Sequence, residues 1–245
     1  MRSQTRILLA TLVLGPVVLW GPRLPELLSR METFRISDVE VQGLRFLTEE
    51  AVVAQLQLGQ FASVWGDRAQ WEERVAAHPL VRSADVRRRL PSGLLVTVEE
   101  RRPVALAGTP ILEPVDAEGY RLPIDPTRYR LDLPVIAADR VPPRGSSRFP
   151  AEVRTIASEI GWLMSFDEEF VRRVSTFERT TGGALVARLV APDIDFVLPS
   201  RTPVSRLRDG EAALSDAISR DPSRVPTAVD LRFADQVVVR RNRND

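Results

Sequence analysis

The order in which the hydrophobic period changes along residues 34–106 constrains this chain more than any other feature. Asp38–Gln42 alternates polar and apolar residues, which is the pattern of a half-buried strand. Gly43 interrupts the alternation. Thr48 then precedes a short apolar helical face with Glu49 and Glu50 in its first turn, where the helix dipole favours acidic residues. These residues predict a strand followed by a helix.

A second helix and a hairpin complete this stretch. Asp67, with Gln70 three residues later, has the spacing of a helix N-terminus, and His78-Pro79 ends the helix. Apolar residues then alternate on both sides of the turn Pro91-Ser92-Gly93, which is the pattern of a hairpin. They are Ala84, Val86 and Leu90 before the turn and Leu94, Val96 and Val98 after it. The predicted order is β-α-α-β-β.

Residues 107–241 predict a second domain of a different kind. Short apolar runs are separated by turn sequences such as Asp116-Ala117-Glu118-Gly119. Apolar residues at helical spacing extend from Pro150 to Met164, and a weaker stripe runs from Val204 to Ile218. The fold class is therefore predicted to be α+β: a β-α-α-β-β domain, and then a strand-dominated domain with two helices.

The composition excludes several kinds of chemistry. A formal net charge of +1 over 245 residues provides no strong field for nucleic acid. The absence of cysteine excludes disulfides, thiolate catalysis and cysteine-ligated zinc. His78 is the only histidine, which excludes a multi-histidine metal site, and it is interpreted as a structural residue at a helix end. We expect no catalytic residue, no metal, no cofactor and no small-molecule substrate.

Four polar motifs are interpreted as structural. Asp167-Glu168-Glu169 is expected to be a solvated turn. Thr181-Gly182-Gly183 is expected to be a hairpin turn and not a phosphate cradle, because no Gly-Lys-Ser/Thr sequence follows it. Asp193 and Asp195 lack the further ligands of a calcium loop. Arg87-Arg88-Arg89 alternates faces along its strand and is expected to be a solvated edge, with a basic partner-contact surface as the alternative.

The N-terminal residues have the features of a membrane anchor. Arg2 and Arg6 are followed by residues 7–22, which carry no charge. This run is short for a bilayer span, which needs roughly 17–25 residues. However, no A-x-A-like cleavage site follows it, and Trp20 suits a membrane interface. We therefore favour a cytoplasmic tail at 1–6 and a transmembrane anchor at 7–23 over a cleaved signal peptide or a buried segment.

The order of these motifs resembles that of the FtsQ/DivIB family of bacterial cell-division proteins, which carries a polypeptide-transport-associated (POTRA) domain. Val39-Glu40-Val41-Gln42-Gly43 is similar to the family's opening strand, and His78-Pro79-Leu80-Val81 to its helix-to-strand junction. Val229-Asp230-Leu231-Arg232-Phe233 is similar to its closing strand, whereas Leu90 stands where the family usually has Trp. The resemblance implies a POTRA domain at 34–106, an FtsQ-type β domain at 107–241 and a tail at 242–245.

The resemblance also implies a function. Members are non-enzymatic scaffolds of the divisome in the inner membrane, with a cytoplasmic N-terminus and a periplasmic bulk, at the division septum. Their closing strand and the turn after it receive the C-terminal segment of an FtsB-like partner, near an FtsL-like protein, and other divisome proteins can bind the POTRA domain. Carried onto this sequence, the implied partner-binding residues are Arg232, Phe233, Asp235, Val237, Val238 and Val239.

The residues themselves agree with such a site but leave alternatives. The alternation from Ala228 onward predicts a terminal strand at a sheet edge, whose backbone groups a partner strand can pair. We expect Val238→Pro to remove one backbone donor and to weaken partner binding without loss of the fold. One alternative is an edge that is only blunted by the Arg-rich tail. Another, for the whole chain, is a POTRA-containing component of a protein translocation or outer-membrane assembly pathway.

Overall fold

The computed structural model describes residues 28–108, 111–125, 128–138 and 146–241. The predicted tail at 1–6, the predicted anchor at 7–23 and the predicted tail at 242–245 lie outside the described residues. None of the helices in the described ranges combines the length and the apolarity that a bilayer span requires. The chain divides into two compact units, Met1–Glu100 and Arg101–Asp245.

The first unit has the predicted β-α-α-β-β order. A single 3₁₀ turn at Glu32–Phe34 is followed by β1 (Asp38–Gln42), α1 (Glu49–Leu56), α2 (Arg68–Ala76), β2 (Val81–Arg89) and β3 (Gly93–Glu100). The sheet order is β1-β3-β2, with β1 parallel and β2 antiparallel to the central strand. Both helices pack with the sheet around one core, formed by Val52, Leu56, Val64, Trp71, Val75, Val81, Val86, Leu94, Val96 and Val98.

Both helices of this unit begin where the sequence predicts. The hydroxyl of Thr48 accepts a hydrogen bond from the backbone N–H of Ala51 at 3.3 Å. The carboxylate of Asp67 accepts from the N–H groups of Ala69 and Gln70 at 3.0 and 3.3 Å. These bonds satisfy backbone donors that the first turn of a helix leaves without an intrahelical partner, which is why these residues can start a helix.

Glu100 fixes the loop between β1 and α1. Its carboxylate accepts hydrogen bonds from three successive backbone N–H groups, at 3.0, 2.8 and 2.9 Å. The donors are Arg45, Phe46 and Leu47. Gly43 precedes them with a φ of +88°, and a Cβ atom there would lie 2.1 Å from the carbonyl oxygen of Val98. Only glycine therefore lets the chain turn away from the sheet at this point.

The second unit contains one large mixed sheet. Its elements are β4 (Pro103–Ala107), β5 (Glu113–Asp116), β6 (Val135–Ala137), α3 (Ala151–Met164), α4 (Glu168–Arg172), β7 (Val174–Arg179), β8 (Leu185–Leu189), β9 (Asp195–Leu198), α5 (Val204–Arg220), β10 (Ala228–Asp230) and β11 (Val238–Arg240). The eight strands lie in the order β11-β10-β9-β8-β7-β6-β4-β5. The predicted α+β class with a strand-rich second domain is confirmed.

Helix α4 corrects one prediction. Asp167-Glu168-Glu169 was expected to be a solvated turn, but Asp167 caps a helix, and its carboxylate accepts from the N–H of Phe170 at 2.8 Å. The helix forms here because Phe170 and Val171 are buried in the core of the unit, which outweighs the polar start of the segment. The described part of the second unit thus has three helices instead of the predicted two.

One face of the large sheet carries the core. The strand register aligns a single row of apolar residues across it, and the three helices supply the other side of the core. The row is Ala107, Ile136, Phe177, Ala187, Phe196, Val229 and Val239. The neighbouring row, on the opposite face, is more polar and contains Thr176, Arg188, Asp195, Ala228 and Arg240. The sheet therefore has one apolar face, which packs in the core, and one more polar face.

Candidate functional site: the closing hairpin

The structure brings the predicted partner-binding residues together on one hairpin. We call residues 228–240, which comprise β10, a loop and β11, the closing hairpin. Arg232, Phe233 and Asp235 lie in its loop, Val237 directly precedes β11, and the next two valines lie on β11. The strand β11 is antiparallel to β10 and forms one edge of the eight-stranded sheet.

Helix α5 supports the closing hairpin from the core side. The side chains of Leu231 and Val237 pack against the core to which this helix contributes. A Cβ atom on Gly210 would lie 2.8 Å from Cδ2 of Leu231. Glycine inside a helix costs about 1 kcal/mol relative to alanine, and here it permits the close approach of the helix to the hairpin.

The buried carboxylate of Asp230 ties the two ends of the loop together. Its Oδ1 accepts from Nε of Arg232 at 2.9 Å and from the backbone N–H of the same residue at 3.2 Å. Its Oδ2 accepts from Nη2 of Arg232 at 2.7 Å and from Nη2 of Arg240 at 3.0 Å. The hydrogen bonds from Arg232 lower the pKa of Asp230 below its ordinary value, with a smaller contribution from the charge of Arg240. The loop is therefore closed by an ionised acid between two guanidinium groups.

The side chain of Arg206 also binds the loop, from helix α5. Arg206, on α5, donates through Nη2 to the carbonyl oxygens of Leu231 at 3.4 Å, of Gln236 at 2.7 Å and of Phe233. All three contacts are made by the same nitrogen, so its two N–H hydrogens are shared among the three carbonyl oxygens, which lie close together around it. The loop backbone is thereby bound to the helix, while the Phe233 side chain remains 42% exposed.

The register shows which backbone groups of β11 face outward. The N–H of Leu231 donates to Val197 and the N–H of Asp195 donates to Thr227, so Ala228 and Asp230 direct their backbone groups away from β9 and towards β11. Their register partners, Arg240 and Val238, therefore use their backbone groups inside the hairpin. Within β11, this leaves the N–H and C=O of Val239 on the outer edge.

This geometry corrects the expected effect of Val238→Pro. The N–H of Val238 faces Asp230 within the hairpin, so proline there would break a bond of the fold itself. The donor that an added strand could use belongs to Val239. Proline is tolerated on an edge strand where the missing N–H would have faced solvent, so Val239→Pro is the change that separates partner binding from folding.

Three residues of this site were not among the predicted ones: Arg206, Asp230 and Arg240. Asp230 and Arg232 are two positions apart in the strand that the sequence predicts, which would place them on the same side, and this spacing is visible in the sequence. Arg206 had no such signal, because it precedes its loop partners by 25 to 30 residues. Conversely, Arg232 was predicted as a partner contact, and its guanidinium is bound to Asp230 while its side chain remains 44% exposed.

The other polar motifs have local partners. Nδ1 of His78 accepts from the N–H of Leu80 at 3.2 Å, in agreement with a structural role. Asp195 accepts from Nε of Arg188 at 2.9 Å. Within the parts of the chain that the structure describes, no group of three acids or histidines is arranged to hold a metal ion.

The arginines of β2 are also engaged locally. Arg87 donates to the carboxylate of Asp85 at 2.6 Å, and Arg89 pairs with Glu40. Arg88 donates to the carbonyl oxygens of Val64 and Gly66 at 2.5 and 3.1 Å. Arg87 and Arg89 are exposed, as a solvated edge requires.

The comparisons with known proteins agree with this fold and define the class of the first unit. Residues 34–101 match the family model of the POTRA domain, FtsQ-type. The structure accordingly contains a POTRA domain of this type, followed by a strand-rich domain that ends in the closing hairpin.

Two curated relatives extend the comparison beyond the first unit. Both are named cell division protein FtsQ. The one from Rhodothermus marinus is 29% identical over 232 residues, which cover 86% of this chain and 79% of the relative. The one from Syntrophotalea carbinolica is 27% identical over 125 residues, which cover 51% of this chain and 44% of the relative. The FtsQ-type POTRA domain and these two relatives support the FtsQ/DivIB family of bacterial cell-division proteins.

Proposed function

We propose that this protein is a non-enzymatic scaffold of the divisome, which is anchored in the inner membrane by residues 7–23 and holds its partners on the periplasmic side at the septum. In this role it recruits and links FtsB-like and FtsL-like proteins, so that septal wall synthesis starts at the right place. The single observation that carries the proposal is the closing hairpin, which combines an edge strand, a braced loop and an exposed aromatic side chain.

The proposed binding mode is strand addition to β11. The outward N–H and C=O of Val239 would form backbone hydrogen bonds with the C-terminal segment of an FtsB-like partner, and the side chains around them would supply specificity. Phe233 supports this mode because its side chain is 42% exposed while its backbone is bound to Arg206. A loop that is already ordered before binding loses less conformational entropy when it binds.

The test compares three single variants of the full chain. Val239→Pro removes the outward donor, Val239→Ala keeps that donor and shortens the side chain, and Val238→Pro breaks a bond inside the hairpin. A synthetic peptide with the C-terminal sequence of the host's FtsB-like protein is titrated against each variant. We expect Val239→Pro to lose most of the affinity at an unchanged unfolding temperature, Val239→Ala to lose little, and Val238→Pro to lose stability as well.

Two results bear on the proposal at different levels. Equal affinity of Val239→Pro and the unchanged chain would reject strand addition at β11 and favour an edge that is only blunted by its tail. In cells, a fluorescent fusion is expected in a mid-cell band, and depletion is expected to give filaments without septa. An even peripheral signal with normal division would reject the scaffold role itself and favour a client-binding POTRA protein of an export pathway.

A further inference from the structure

Three exposed apolar side chains lie at one end of the first unit. Phe61 is 69% exposed, in the loop between α1 and α2, and Leu90 is 60% exposed, at the turn between β2 and β3. Met31 is 51% exposed and directly precedes the 3₁₀ turn at Glu32–Phe34. We call these three residues the apolar tip.

Hydrogen bonds bring the segments of the apolar tip together. The N–H of Ile36 donates to the carbonyl oxygen of Ala62 at 2.9 Å, and the N–H of Ser37 donates to that of Ser92 at 2.9 Å. Ile36 and Ser37 are consecutive, so their Cα atoms are about 3.8 Å apart. The loop that carries Phe61 and the turn that carries Leu90 therefore flank the same two residues of the incoming chain.

The strand directions show that this is the end of the unit where the chain enters. The parallel strands β1 and β3 both start here, and β2 ends here. The unit ends at Glu100, at the far end of β3, eight residues along that strand. The apolar tip thus faces the side from which the N-terminal residues arrive.

The length of the N-terminal chain limits how far this end can lie from the membrane. Eleven residues, 23–33, separate the uncharged run 7–22 from Phe34. At most about 3.6 Å per residue, they can span about 40 Å when fully extended, and less in any other conformation. A side chain at this end can therefore reach the surface of the bilayer that would hold the run.

We propose that the apolar tip inserts into the headgroup region of the membrane in which residues 7–23 are anchored. This inference rests on the membrane anchor in the proposed function, and it adds a second contact that orients the POTRA domain on the lipid surface. Aromatic and aliphatic side chains at the water–lipid boundary stabilise such contacts. Phe34 and Trp65 lie in edge contact with ring centroids 5.8 Å apart at the same end, and they give the tip a rigid base.

Local ion pairing sets the kind of lipid expected. The guanidinium of Arg35 lies 5.0 Å from the ring centroid of Phe61, and its Nη1 is 3.3 Å from the carboxylate of Glu32. Arg89, next to Leu90, likewise pairs with Glu40. These two cations beside the tip are thus matched by acids, so we expect the contact to be driven by apolar burial. We expect it with zwitterionic phosphatidylcholine, which has no net charge, and expect little change with salt, whereas a basic patch would need anionic lipid and would weaken with salt.

The natural lack of cysteine makes the test direct. Single-cysteine variants Phe61→Cys and Leu90→Cys of the full chain are labelled with a polarity-sensitive fluorophore and reconstituted into phosphatidylcholine nanodiscs. Ala77→Cys is the matched control, because Ala77 is exposed and lies at the other end of β2, about 26 Å away at roughly 3.3 Å per residue. Quenching of the fluorophore by spin-labelled lipid in the discs is then measured at each position.

The expected result is a blue shift and strong lipid quenching at positions 61 and 90, with neither at position 77. If the chain co-purifies with the discs but all three positions behave alike, the apolar tip does not contact lipid, and the anchor proposal stands. If the chain does not associate with the discs, both proposals fail. A shift that needs native membranes and is absent in pure lipid would assign the tip to a protein partner and overturn the lipid contact.

Discussion

Two loops in this protein are each held by one charged side chain, and the two side chains have opposite charges. In the first unit, the carboxylate of Glu100 accepts three backbone N–H groups, from residues 45–47. In the second unit, the guanidinium of Arg206 donates to three carbonyl oxygens of the closing hairpin. An anion collects donors in one loop, and a cation collects acceptors in the other.

The two loops differ in what the charged side chain supports: a buried side chain in the first loop and a solvent-exposed side chain in the second. The donors to Glu100 are consecutive residues, and the side chain of Phe46 between them is buried. The acceptors of Arg206 are spread over residues 231–236, and Phe233 among them points its side chain to solvent. The first arrangement holds a loop whose aromatic side chain is buried, whereas the second holds a loop backbone beneath an exposed aromatic side chain. The following predictions test this distinction, from the largest expected effect to the smallest.

Glu100→Ala is expected to have the largest effect. It leaves three backbone donors without their charged acceptor, and because the site is partly solvated we expect the first unit to lose about 3 kcal/mol of stability. The measurement is urea unfolding followed by hydrogen exchange, which reports each unit separately. Glu99→Ala is the matched control, since Glu99 pairs on the surface with Arg82, and such pairs contribute about 0–1 kcal/mol. Equal losses in the two variants would contradict the role of Glu100.

Arg206→Ala is expected to cost less stability and more binding. Loss of its bonds to the loop carbonyls should destabilise the second unit by about 1–2 kcal/mol and speed hydrogen exchange in residues 231–240. Affinity for the FtsB-like peptide should fall because the loop is no longer ordered before binding. Arg208→Ala, an exposed arginine on the same helix, is the control. If Arg206→Ala loosens the loop and leaves the affinity unchanged, the loop does not present the binding surface.

The loss of stability of the second unit at acidic pH, measured as its free energy of unfolding, is expected to depend on Asp230. The pKa of Asp230 is lowered in the folded state, chiefly by hydrogen bonds from Arg232. Its contribution is therefore complete above the ordinary aspartate pKa of about 3.9, and it is lost as the pH falls through the lower folded value. Asp230→Asn should flatten this part of the profile. Asp235→Asn, in the same loop, should leave the pH dependence of the stability unchanged. Identical stability profiles for the two variants would contradict the role of Asp230.

The smallest effect is expected at His78, in the first unit. Burial lowers its pKa, and the charge of Glu100 opposes this shift only in part. The stability that it contributes is present above the ordinary histidine pKa of about 6.5 and is lost as the pH falls through the lower folded value. His78→Asn can still accept from the N–H of Leu80, so it should remove the pH dependence without a large loss of stability. The second unit, which has no histidine, serves as the internal reference.

The sequence predicted well what local chemistry determines. The caps at Thr48 and Asp67, the turn at Gly43 and the β-α-α-β-β order all depend on neighbouring residues, and the structure has them. The positions of β4, β6 and β7 side by side depend on contacts far apart in the chain, which no local period records. Helix α4 was missed for a related reason, because the burial of Phe170 and Val171 stabilises it from outside.

The candidate site shows the same division. The alternation that begins at Ala228 predicted a strand at the position of the hairpin. It did not predict that the backbone turns back through a loop to form β11. Nor does the alternation show which valine faces outward, because that depends on the register with β9. Arg206 and Arg240 reach the site through tertiary contacts alone.

The parallel pairing of β1 and β3 has a mechanical consequence. The chain enters at the start of β1 and leaves the first unit at the end of β3, and the two strands are neighbours joined over five register pairs, from Asp38–Gly93 to Gln42–Thr97. Tension applied between the two ends of the first unit would slide one strand along the other, so their hydrogen bonds would be loaded together and not opened one at a time. The first unit therefore resists separation of its two ends by loading several hydrogen bonds at once.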